Sequence, residues 1–130
     1  MDALDVLSIV ATGPQCSVAM TYRVHREYRT WSPEGRAGLL RIMQILAEYG
    51  SSDLNDKQFR YETAFTPRGA HRAEKVYAVK AYTFRIYGCF VGTVSKRFIG
   101  TYFDAAKKQS KADRGALQRA ADYIVPHLGG

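Results

Sequence analysis

The stretch VYAVKAYTFRIYGCFV, residues 76–91, constrains the fold more than any other part of the chain. It contains no proline and is dense in Val, Tyr, Phe and Ile, the residues that fit a pleated, half-buried surface. It is also longer than an ordinary strand, with apolar residues on both alternating faces. It therefore predicts two antiparallel arms that reverse near Ala81–Thr83. In the second arm Phe84, Ile86 and Phe90 share one face, and Arg85, Tyr87 and Cys89 the other. A turn over 92–94 leads to a further strand over 95–103, SKRFIGTYF, with Phe98 inward and Arg97 and Ile99 on the opposite face.

Upstream, CSVAMTYRV (16–24) alternates, with Val18, Met20 and Tyr22 on one side, and reads as a strand. A helix is expected from Pro33 to Tyr49. Ser32 is a good N-cap, Pro33 suits the first helical position, and Gly50 sits where a C-terminal glycine belongs. Leu39, Ile42, Met43, Leu46 and Tyr49 recur at helical spacing and form its core stripe. SSDLNDKQ is read as one short helical turn, and FTPRGAHRAE (65–74) as a loop. Near the C-terminus, Ser110 and Asp113 have capping-box spacing, Leu117, Ala120, Ala121 and Ile124 make one helical face, and Pro126 marks the end. The expected fold is α+β: a single small domain with a mainly antiparallel sheet, packed by a helix from the N-terminal half and a C-terminal helix. Residues 1–15, ending in the turn signal TGPQ, read as an N-terminal extension to a domain spanning 16–130.

Composition narrows the function. The 130-residue chain carries a net charge of +7. Lys75 to Arg119 holds ten basic residues against two acids, while the remainder is close to balanced, so the whole surplus lies in one segment. Segregated positive charge attracts polyanions; it also serves as a solubilising surface. The acidic start MDALDVLSIVATG lacks the basic region of a secretory signal, and no apolar run reaches membrane-spanning length. Cys16 and Cys89, far apart and outside any CxxC, read as reduced, packed thiols. A cytoplasmic location with no membrane association is expected.

His25, His71 and His127 fall in separate segments without ligand spacing, so neither a metal nor another cofactor is expected. The sequence has no GxSxG, P-loop or GxGxxG. What remains is a set of cations and tyrosines. Lys80 ends one hairpin arm, Arg85 and Tyr87 share a face of the next, and Lys107 and Lys108 follow the last strand. Cations hold phosphates and aromatic faces stack unpaired bases, a combination suited to single-stranded RNA. Tyr82 and Tyr102 are further stacking candidates, although tyrosines at a sheet surface more commonly pack and keep the hydroxyl wet.

The hairpin, the strand after it, AAKKQSKADRGALQRAADYI, and the upstream helix RAGLLRIMQILAEYG together resemble the RelE/HigB superfamily of toxins, in particular the phage-derived HigB-like branch. The resemblance covers Val76 to Tyr123, extends weakly over Arg36 to Gly50, and does not reach before Cys16. It implies an endoribonuclease that cuts mRNA, often in association with the ribosome, and that a cognate antitoxin protein silences. It also implies roles. Lys80 is a phosphate ligand or base, and Arg85 stabilises the transition state. Lys107 and Lys108 hold the backbone, with one of them as acid. Tyr87, Tyr102, Arg97 and Arg114 are expected to contact RNA. No residue after the last helix except His127 is available to match the C-terminal catalytic groups of some members. A second reading, a non-catalytic phage or mobile-element protein that engages a host protein or nucleic acid on the same fold, therefore stays open. A DNA-binding reading is weakest, because no helix-turn-helix pattern appears.

Overall fold

The computed structural model describes residues 6–92, 95–104 and 113–128. Strand β1 (Leu7–Thr12) turns back into β2 (Ser17–Thr21), followed by helices α1 (Tyr22–Tyr28) and α2 (Pro33–Tyr49) and a 3₁₀ turn at Ser51–Asp53. Four strands follow: β3 (Phe59–Phe65), β4 (Glu74–Ala81), β5 (Phe84–Val91) and β6 (Arg97–Asp104). Helix α3 (Arg114–Asp122) and a 3₁₀ turn at Val125–His127 complete the described chain. The strands form one sheet in the order β1-β2-β6-β5-β4-β3. Only the β2–β6 pairing is parallel; the other four are antiparallel. The expected α+β class and mainly antiparallel sheet are those observed.

The sheet is covered on both faces, which explains why its central strands are apolar on both sides. On one face Val18, Met20, Val79, Ile86 and Phe98 pack with Leu39, Met43 and Leu46 of α2, and with Val24 and Trp31. On the other, Val76, Ala78, Tyr87, Cys89 and Ile99 pack with Ala116, Leu117, Ala120 and Ala121 of α3 and with Ile124. Alternation along β4 and β5 assigns successive residues to opposite cores, as a period of two requires. Ile99, expected opposite Phe98, is there, but under α3 and 1 % exposed.

Local chemistry explains the elements. The Ser32 hydroxyl accepts from the Gly35 N–H at 3.1 Å, starting α2 where the cap and proline predict. Gly35 also lets the helix approach the β4–β5 hairpin: a Cβ there would lie 2.4 Å from the Phe84 ring. In the two-residue hairpin turn, Tyr82 has φ 58, the positive value that a twist-matched tight turn demands at its first central position. Gly88 sits beside a bulge between β5 and β6, where a Cβ would meet the Ile99 carbonyl oxygen at 2.1 Å.

Four expectations are corrected. Residues 7–12 are not an appendage but strand β1, hydrogen-bonded along β2. The strand expected over 16–24 stops at Thr21, whose hydroxyl caps α1, so Tyr22 is helical and exposed. The loop expected over 65–74 is shorter at both ends: Phe65 closes strand β3, which pairs with β4, and Glu74 opens β4. The N-cap of α3 is Asp113, whose carboxylate accepts from the Gly115 N–H at 2.9 Å; Ser110 lies outside the described residues.

Candidate nucleic-acid interface

The β4–β5 register sets Lys80 directly opposite Arg85, and the β5–β6 register sets Asp104 opposite Arg85 on its other side. Partners in antiparallel register project to the same face, so these three groups share the α3 side of the sheet. Strand β3 adds Glu62, the extra residue of a bulge between Tyr61 and Thr63. Its carboxylate lies 3.8 Å from Lys80 Nζ and 3.8 Å from Arg60 Nε. Lys80 Nζ also donates to the Asp56 carbonyl at 3.2 Å. Four adjacent strands thus place Arg60, Glu62, Lys80, Arg85 and Asp104 at one corner of the sheet.

The corner is partly dry. The Glu62 side chain is 9 % exposed and that of Lys80 16 %, whereas Arg60 is half in water. Burial pulls the Lys80 pKa below the usual lysine value; Glu62 opposes this, while the Arg85 and Arg60 charges add to it and Asp56 works against it. Loss of solvent outweighs the ion pair, so the ammonium is a readier proton donor than a surface lysine. Tyr87 lies on this face but is fully buried, and burial raises its pKa. Arg85 acts on the Tyr87 hydroxyl electrostatically, but the hydroxyl closes no hydrogen bond of good geometry. Tyr87 therefore cannot stack a base: α3 covers the face on which it was expected to meet RNA, and its ring is part of the core.

Beyond Tyr87 a line of aromatic rings and guanidinium groups continues. Tyr102 pairs with Tyr87 across β5–β6, and its ring stacks with Tyr123 at a centroid distance of 6.5 Å. Arg119 lies over the Tyr102 ring at 5.9 Å, and Arg23 over the Tyr123 ring at 5.2 Å. Tyr102 is thus half-buried beside the charged corner, with the Arg119 guanidinium over its ring.

Other expected residues lie elsewhere. Arg97 is at the opposite end of the sheet, paired with Val91 and bonded to Ser17 Oγ at 2.9 Å. Six positions along β5 separate Val91 from Arg85, roughly 20 Å, so Arg97 does not join the corner. Arg114, exposed at the start of α3, sits over Phe65, which pairs with Glu74 at the far end of β4 from Lys80. Tyr82 is 77 % exposed at the hairpin tip, beside Gly38 of α2 rather than beside the cations. Lys107 and Lys108 lie outside the described residues; β6 ends at Asp104, in register with Arg85.

Sequence reading missed Arg60, Glu62 and Asp104. The only signal for the first two was the alternation of FRYETAF, which places Arg60 and Glu62 two apart on a strand. Cys89 is buried, as expected, and its thiol is pushed up to about 12, by burial first and Glu74 second. Among the described residues no three His, Cys, Asp or Glu side chains group as metal ligands, and no helix is long and apolar enough to cross a membrane. Comparison with protein-family models, curated proteins and solved structures finds no match for this chain.

Proposed function

We propose that the protein is an RNA-binding endoribonuclease of the RelE/HigB type, with the scissile phosphate held at the Lys80–Arg85 corner. The observation that supports this reading most is the cross-strand placement of a partly desolvated lysine beside an arginine, with a carboxylate 3.8 Å from the ammonium. The ribose 2′-oxygen attacks the adjacent phosphorus, forming a P–O2′ bond while the P–O5′ bond breaks. Glu62 takes the 2′-OH proton, Arg85 stabilises the charge on the non-bridging oxygens, and Lys80 gives a proton to the departing 5′-oxygen. The products are a 2′,3′-cyclic phosphate and a free 5′-hydroxyl. Tyr102 and Tyr123, with Arg119 and Arg23, bind the neighbouring nucleotides. The chain carrying Lys107 and Lys108 follows Asp104 and supplies further phosphate contacts. A cognate antitoxin and the ribosome are the partners that belong to this reading.

End-group analysis of RNA incubated with the protein tests it. Cyclic phosphate ends are expected, with cleavage falling about 100-fold or more in Arg85→Ala and Glu62→Gln while both variants stay folded. One observation favours a second reading. Glu62 and Asp104 already face Lys80 and Arg85, as in an ion network that fixes strands and leaves a binding surface without chemistry. RNA bound but left intact by the wild type would select that reading, a non-catalytic phage or mobile-element module.

A further inference from the structure

We infer that two copies of this chain associate about a two-fold axis through the β1 edge and the outer side of α2.

Among the described residues, strand β1 is hydrogen-bonded to β2 on one side and is an edge of the sheet on the other. Its sequence, LSIVAT, contains no charge and no proline. Edge strands left bare in this way pair with other chains, and proteins ordinarily blunt them with charged residues or proline. The opposite edge, β3, carries Arg60 and Glu62. Exposure follows the same asymmetry. Of the seven large hydrophobic residues exposed among those described, Val6, Ile9, Tyr22 and Tyr49 lie on or beside β1.

Between β1 and α2 runs an open groove of about 530 Å³. Its helical wall presents Arg41, Gln44, Ile45 and Glu48, one stripe two turns long. The stripe begins with a cation, ends with an anion, and has an apolar side chain near its middle. Such an order is complementary to itself only when inverted. An α2 helix laid antiparallel on its copy, with the axis between Gln44 and Ile45, sets each Arg41 against the other copy's Glu48. It also brings the two Ile45 side chains together. Parallel helices would instead oppose like charges. A second copy is thus the occupant whose charges are matched without further assumption, as a two-fold interface requires. The bulge at Val10 kinks β1, so the inter-copy ladder is short and α2 carries much of the contact.

Sedimentation velocity on the full chain, with circular dichroism to confirm folding, tests the inference. The wild type is expected to dimerise. Arg41→Glu and Glu48→Arg, both at exposed positions, are each expected to weaken the dimer about tenfold, since each breaks two equivalent ion pairs. The double variant restores the pairs with the charges exchanged and is expected to recover the affinity to within about threefold. A wild type that stays monomeric at about 100 μM, in the range where weak association is seen, overturns the inference. So does a dimer indifferent to both single changes, or one that the double variant fails to restore.

Discussion

Cys89 lies between β4 and β6 at 0 % exposure, with α3 above it. Its thiol has no water to stabilise a thiolate, and Glu74 adds negative potential, so the proton stays on to about pH 12, against 9.0 for the free group. Between pH 9 and about 12 the unfolded chain has lost this proton and the native state has kept it. The stabilisation is complete below pH 9 and is lost as pH rises through that window, with a slope approaching about 1.4 kcal/mol per pH unit. Urea titrations of the wild type and Cys89→Ala from pH 8 upward are expected to converge with rising pH, because the variant lacks this term. Parallel curves would assign the alkaline loss to other groups, such as Tyr87, whose pKa shifts in the same direction.

Among the elements, α2 and the β4–β5 hairpin depend on each other through close backbone approach. Gly35 faces Phe84, and Trp31 stacks on the same ring at 4.5 Å. Gly35→Ala improves helix propensity by about 1 kcal/mol, but it drives a methyl into a ring that Trp31 also packs against. The clash costs about 1–3 kcal/mol, so a net loss in stability is expected in chemical denaturation. Its reversal by Phe84→Leu would identify the ring as the obstacle. The same elements show what the sequence can disclose. The α2 boundaries and the reversal at Tyr82–Thr83 were legible because caps, glycine and alternation are local signals. β1 and β3 were not, because LSIVAT and FRYETAF become strands through pairing with β2 and β4. Tyr87 was misplaced for a related reason. Alternation fixes which side chains share a face, but whether α3 or water covers that face is a tertiary fact. Lys80 and Arg85 face each other because their pairing depends on the hairpin alone. Glu62 needed the β3–β4 ladder, and no motif announces it.

At the scale of the whole molecule, the basic surplus and the sheet corner make a joint prediction. If Arg60, Lys80 and Arg85 engage phosphates of a single strand, the logarithm of affinity falls with the logarithm of salt concentration. Each neutralised phosphate contributes about 0.7 to the slope. Fluorescence anisotropy with a single-stranded RNA is expected to show a reduction of about 0.7 in Arg85→Ala. Arg97→Ala, at the other end of β6, is expected to leave the slope unchanged. Equal effects from the two variants would mean diffuse attraction rather than a site.

The position of β6 has a consequence for how the chain acquires its structure. Last in sequence among the described strands, it lies between β2 and β5. Ser17 pairs with Arg97 and Met20 with Gly100, partners some eighty positions apart. Until β6 arrives, the β1–β2 hairpin and the β3–β4–β5 meander have no strand pairing between them. Each exposes an unpaired edge that β6 will later occupy. Closing a loop of that length carries an entropic cost before any contact compensates it, so high contact order places the slow step of folding late. On the ribosome, two half-sheets would emerge and wait, and the nascent chain would be most prone to aggregation in the interval before β6 is released.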